Sequence, residues 1–225
     1  MPFRDRFTAG KLLAEKLPEL NNPFVLAIPR GGVQVGAAMA NVLNCELDVI
    51  VARKLGAPGN SELAIGAVTA KDNPYLDDAL ISELNVSKSY IENVVAVERA
   101  EAERRENLYR RGRPPLKIDR KDIILVDDGL ATGATAMAAV LQLKNTNNRV
   151  ILAVPVISKE AEEKLKEEVG EIIYLEKPEY FAAVSLFFEE FPQGNDKEVI
   201  ELLAKSKKLK SSKKSKNRSN KNNNS

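Results

Sequence analysis

Apolar residues along this chain fall into short runs that alternate with longer helical stripes. Phe24–Ile28, Leu47–Ala52, Leu63–Val68, Ile123–Val126, Val150–Pro155 and Ile172–Leu175 predict strands. Thr8–Leu20, Val33–Leu43, Glu98–Arg111, Thr135–Lys144, Ser158–Val169 and Asp196–Ala204 predict helices. Val94–Val97 reads either as a strand or as the start of a helix. Strands alternating with helices predict an α/β fold, doubly wound around a mainly parallel sheet.

The most informative stretch is Ile123–Thr135, IILVDDGLATGAT. Four apolar residues suit a strand buried on both faces. Asp127 and Asp128 stand at its carboxyl end, where ligands of open α/β sheets bind. A small-residue turn then opens a helix, and helix N-termini favour anions. Carboxylates beside an anion site need something other than the anion to face, such as sugar hydroxyls or a metal ion. The unit therefore reads as a pocket for a sugar phosphate. Asp127 and Asp128 would meet the sugar, and Ala131, Thr132, Gly133, Ala134 and Thr135 would surround the phosphate.

A second turn of the same kind lies at Ile28-Pro29-Arg30-Gly31-Gly32. It too follows a strand and opens a helix, its glycines let backbone approach a ligand, and Arg30 adds a planar cation. Two such turns suit a ligand with phosphate at both ends. Arg53 and Lys54 follow the next strand and should face the same cleft. Gly56, Pro58 and Gly59 predict a movable loop, with Glu62 either at the cleft edge or on a solvated strand end.

The segment Ile123–Thr135 resembles the phosphoribosyl-diphosphate (PRPP) signature of the type I phosphoribosyltransferases. The resemblance extends over roughly residues 24–175. It implies a parallel α/β sheet with a small hood built from the chain ends. It also implies transfer of the 5-phosphoribosyl group of PRPP to a nitrogen nucleophile, such as a nucleobase, with release of diphosphate. Arg30, Gly31 and Gly32 match the family's diphosphate loop, and Arg53-Lys54 resembles the Arg-Lys stretch of the adenine enzymes. The catalytic set implied is Asp127, Asp128 and Arg53. Mg²⁺ would be held through PRPP and water rather than by direct protein ligands. Homo-oligomers are common in the family, since a neighbouring subunit often completes the site. Enzymes for 6-oxopurines carry an aspartate where this chain has Ala131, and ATGAT is closer to the adenine-type loop. A regulatory protein that binds PRPP or a nucleotide on the same fold is the alternative.

Other chemistries are excluded or left without support. The chain has no histidine, which removes Ser-His-Asp and Cys-His catalysis and His-ligated zinc. There is no P-loop, and Cys45, without an internal partner, reads as a small core residue. No apolar run is long enough to span a membrane, and the first residues lack a signal-peptide core, so a cytoplasmic location is expected. The formal charge of +2 hides two parts. Residues 205–225 hold nine basic residues and no acid, which leaves 25 basic against 32 acidic residues in 1–204. We expect one domain over 1–204 and a disordered basic tail over 205–225, with non-specific nucleic-acid contact as the tail's sharper reading. Glu98–Arg113 carries six arginines and four glutamates, read as a solvated ion-paired helix, with a lid or subunit contact as the alternative. Tyr180, Phe181, Phe187, Phe188 and Phe191 either stack on a base or fasten the last helix to the sheet.

Overall fold

The computed structural model describes residues 2–71, 73–111, 114, 118–144 and 146–206. The tail from residue 207 on, Arg113 and the side chain of Glu62 lie outside the described residues. The elements are α1 (Arg6–Lys16), β1 (Phe24–Ala27), α2 (Gly31–Val42), β2 (Glu46–Val49), β3 (Ala52–Ala57), β4 (Asn60–Thr69), β5 (Tyr75–Leu76), α3 (Asp78–Glu83), α4 (Lys88–Arg110), β6 (Asp122–Val126), α5 (Ala134–Leu143), β7 (Arg149–Val156), α6 (Lys159–Leu165) and β8 (Glu171–Glu176). A 3₁₀ turn at Val184–Phe187 and a closing helix over 196–206 follow.

Five parallel strands run in the order β2-β1-β6-β7-β8. Every residue of β1 and β6 is buried, because alternate side chains serve two cores. Val25, Ala27, Ile124 and Val126 join a core with α1, α2 and the closing helix. Phe24, Leu26, Ile123 and Leu125 join a second core with α5 and α6. The sheet is thus wound on both faces, as the alternation predicts. From β1 the chain steps outward to β2, and from β6 it steps the other way to β7 and β8. The strand order reverses between β1 and β6, which puts a ligand crevice at their carboxyl ends. Both turns singled out in the sequence lie there.

The second sheet departs from expectation. Leu47–Ala52 is not one strand: β2 ends at Val49, and Ala52 begins an antiparallel sheet, β3-β4-β5. The expected loop at 56–59 is a hairpin, paired through Ala57 and Asn60 with Pro58-Gly59 at its turn. Both faces of this sheet are covered, which fixes it as a sheet. Ala52, Ala64 and Ala67 pack on Ala134 and Ala138 of α5. Leu55, Ala57, Ile65 and Val68 pack under α3 and the first half of α4. Val94–Val97 belongs to that helix, which starts at the Ser87 cap and runs 23 residues. Val94 and Val95, with Tyr90 and Ile91 one turn earlier, cover the hairpin at helical spacing. The expected ion pairs Glu101–Arg105 and Glu106–Arg110 both form, at 2.6 Å.

The hood also forms from the chain ends. Phe3 N–H donates to Phe187 O at 2.7 Å, Glu189 N–H to Phe3 O at 2.8 Å and Glu190 N–H to Arg4 O at 2.9 Å. Phe3, Phe188 and Phe191 stack in series, with ring centroids 5.6 and 5.0 Å apart, and Phe181 meets Phe187 at 5.7 Å. Phe187, Phe188 and Phe191 pack with Phe3 against Ala9 of α1 and Leu175 of β8 rather than against the closing helix, and Tyr180 stands apart at 90% exposure. No described helix is long and apolar enough to cross a membrane.

Candidate functional site

β6 delivers the acidic pair, and a glycine lets the chain turn from it into α5. Gly133 has φ +73° at the N-cap of α5, a left-handed conformation that favours glycine. The first N–H groups of α5 lack partners within the helix and point out of its N-terminus, with the helix dipole behind them. The loop is stitched to the next βα turn. Leu130 N–H donates to Val156 O, and Ser158 N–H donates to Leu130 O, each at 2.9 Å. The Ser158 hydroxyl donates to Ala131 O and accepts from Ala161 N–H as the N-cap of α6. Ser158 was legible in the sequence only as a helix start; its hold on the loop at Ala131 depends on β7 lying beside β6. Ser158→Ala should lower stability by ~1 kcal/mol, because α6 loses its cap and the Ala131 carbonyl loses its donor. Thermal melts of the variant check this.

Asp127, Lys54, Gly129, Ala131, Thr132, Gly133, Ala134 and Thr135 line one cavity of about 250 Å³, closed on one side by Val184 of the hood turn. The cavity thus sets the N–H groups of a helix N-terminus beside a carboxyl group and an ammonium group. Asp127 Oδ1 accepts from the Asp128 N–H at 2.8 Å. Burial, and then the negative charge of Asp128, push the Asp127 carboxyl well above the usual carboxylate range. Asp128 behaves differently. Its Oδ2 accepts from Arg6 Nε at 2.7 Å, and Arg6 is 4% exposed. Arg6 is a functional candidate that sequence reading missed, since it lies 122 residues from its partner.

The Arg30 turn lies alongside, because β1 pairs with β6 in parallel and Ile28 N–H donates to Val126 O at 2.8 Å. The Pro29–Arg30 peptide bond is cis. Gly31 backs onto the Asp128 carboxylate so closely that a Cβ would overlap it. Arg30 leans toward the closing helix, with its guanidinium 3.9 Å from Asp196. Tyr109 donates to the same Asp196 at 2.7 Å, and Gln34 donates to Glu198 at 2.6 Å. Burial and the bond to Asp196 push the Tyr109 hydroxyl far above its ordinary value.

The basic pair is separated by strand alternation. Lys54 faces α5 and lines the loop cavity, whereas Arg53 faces α4 and holds Glu98 at 2.6–2.7 Å. The expectation that both cations share one cleft is corrected here. It placed them at a strand's end, where a turn can aim neighbours alike. They sit inside β3, where neighbours point apart. The structure therefore gathers Asp127, Lys54 and the loop Ala131–Thr135, and sets Gly31 against Asp128. It turns Arg30 toward Asp196 and Arg53 toward Glu98.

Comparison with known proteins places the chain in a family. The model of the phosphoribosyl transferase domain matches residues 6–182. Rv0571c of Mycobacterium tuberculosis, which carries a provisional phosphoribosyl transferase name, is 36% identical over 205 residues, 89% of this chain and 46% of its own length. The chain thus spans about half the length of that curated relative. TT1426 from Thermus thermophilus, known from a crystal structure, is 42% identical, with 90% of this chain and 98% of that chain covered and a TM-score of 0.75. On these matches the chain belongs to the phosphoribosyl transferase domain family.

Proposed function

We propose that this chain transfers the 5-phosphoribosyl group of PRPP to a nitrogen nucleophile, a nucleobase first among candidates, and releases diphosphate. The observation that carries the reading is the single cavity that joins the α5 N-terminus, Asp127 and Lys54. The loop Ala131–Thr135 would hold the 5′-phosphate, and Asp127 would accept from the ribose hydroxyls. Lys54 and the Arg30–Gly32 turn would meet the diphosphate. The C1–O bond to diphosphate breaks, and its electron pair leaves with diphosphate. The C1–N bond forms from the acceptor's lone pair, and the acceptor's proton passes to solvent. No covalent enzyme intermediate is required, so the chain contributes positioning and stabilisation of the leaving charge.

Among the described residues, no three acids or cysteines gather as a metal cage. In this reading Mg²⁺ would be carried by the oxygens of the substrate and by water. When bound, Mg²⁺ would neutralise charge on the leaving diphosphate. Ala131 offers no carboxylate to the acceptor, which disfavours hypoxanthine and guanine.

Incubation with PRPP, Mg²⁺ and a panel of purines, pyrimidines and simple amines, with diphosphate release as readout, tests the proposal. Release with one acceptor supports it. Tight PRPP binding without release across the panel favours a regulatory protein instead. Within the transferase reading, Lys54→Ala should weaken PRPP binding by ~1.5 kcal/mol, about tenfold. Arg53→Ala should leave it within about twofold, because its partner is Glu98. Isothermal calorimetry of the two variants checks this pair, and equal losses would return Arg53 to the site.

A further inference from the structure

Asp127 and Asp128 are neighbours in sequence but serve different surroundings. Asp127 lines the loop cavity, and Asp128 is held by Arg6. Arg6 is engaged on three sides. Its Nε donates to Asp128 Oδ2 at 2.7 Å, its Nη1 donates to Pro192 O at 2.8 Å, and its guanidinium lies 3.6 Å from the Phe191 ring centroid. At 4% exposure it is a charge withdrawn from water, which only close, well-formed partners can offset. It is too enclosed to serve as a substrate contact. Gly31 meets the same Asp128 oxygen: a Cβ there would overlap Oδ2 and stand 3.1 Å from Arg6 Nε. Asp128 Oδ2 is therefore the point where the hood, through Arg6, meets the turn that opens α2.

This contact joins the two halves of the candidate site. The α5 loop and Asp127 belong to β6, while the Arg30–Gly32 turn belongs to β1. Backbone pairing of β1 with β6 ends at Ala27 and Val126, before either half begins. Beyond that point the Ile28 N–H bond to Val126 O, the close approach of Gly32 to Asp127 and the Gly31–Asp128–Arg6 contact bridge the halves. A substrate with a phosphate at one end and diphosphate at the other must be held at both ends at one spacing. Small errors in that spacing are costly to binding and to displacement.

Resting on the transferase reading above, we propose that Arg6 is a positioning residue: by fixing Asp128 against Gly31, it sets the distance between the phosphate-and-ribose half and the diphosphate half of the site. A ligand that spans both halves then depends on Arg6. A ligand that fills only one does not.

The test compares PRPP with ribose 5-phosphate, each in Mg²⁺, by calorimetry. Wild type should prefer PRPP strongly. Arg6→Met combined with Asp128→Asn removes both charges together, so no buried charge is left alone, and it should melt close to wild type. In that double variant the preference for PRPP over ribose 5-phosphate should shrink at least tenfold. Arg6→Lys, which keeps the charge, should recover part of the preference, and it also serves if the double variant fails to fold. A role confined to fastening the hood would move both ligands together or neither. An unchanged PRPP preference in either folded variant overturns the assignment of Arg6 while leaving the transferase reading intact. A wild type that shows no preference for PRPP overturns that reading itself, and this assignment with it.

Discussion

Asp127→Asn should weaken PRPP binding by about 2 kcal/mol, roughly thirtyfold, through loss of charge-assisted bonds to the ribose hydroxyls. The same change should raise the melting temperature at neutral pH. The two effects have one cause. Burial and the charge of Asp128 make the ionised Asp127 costly in the free protein, so its folded value lies well above the ordinary one. A group raised in this way stabilises the fold relative to its ionised form only while it stays protonated. Stability therefore falls as pH climbs from the ordinary carboxylate value through the raised one, and above it the penalty is complete. Asparagine is neutral throughout and escapes the penalty. Its oxygen can still accept from the Asp128 N–H, which Asp127 now receives at 2.8 Å. Melting curves of wild type and variant should coincide at low pH and separate as pH rises. A variant that melts below wild type at neutral pH would show that the charge is already compensated in the free protein.

Gly31→Ala should cost about 3 kcal/mol of stability and abolish measurable PRPP binding. The added Cβ overlaps the Asp128 carboxylate and comes within 3.1 Å of Arg6 Nε. Either the α2 start moves or the buried Arg6–Asp128 pair opens, and neither is cheap, because both are fixed by surrounding contacts. Gly170→Ala is the control. Its nearest neighbour beyond the adjoining residues, Val150 O, is 4.0 Å away, so it should stay within ~0.5 kcal/mol of wild type. Chemical denaturation of the two variants measures the contrast, and similar midpoints would mean that the Asp128 carboxylate has room to retreat.

How much of this was legible in the sequence follows the range of the interactions involved. Ile123–Thr135 could be read as strand, acidic end, anion loop and helix because each depends on neighbours in the chain. Burial on both faces shows as an apolar run, a positive φ as a glycine, and a helix start as small and hydroxylated residues. The Arg30–Gly32 turn was legible for the same reason, and so was the two-faced parallel sheet, whose alternation of runs and stripes is local. The hood was anticipated through resemblance, and its pairing of residue 3 with residue 188 is invisible to any local pattern.

What only the tertiary structure decided is how the charged residues divide. Leu47–Ala52 looks like one strand, since burial in one sheet and burial in another leave the same apolar letters. Because Ala52 starts a new antiparallel sheet, Arg53 and Lys54 fall within a strand and point to opposite faces, and only Lys54 reaches the cavity. Arg6 finds Asp128, Tyr109 finds Asp196 and Gln34 finds Glu198 across 122, 87 and 164 residues. Charge recognition at such separations has no periodicity to read, because the partner is chosen by which elements pack together. In this protein the sequence by itself determined the two strand-loop-helix units at the carboxyl ends of β1 and β6. The packing of the hood, the second sheet and the closing helix decided which side chains those units share, because a carboxylate or a guanidinium shows its role only through what stands within about 3 Å of it.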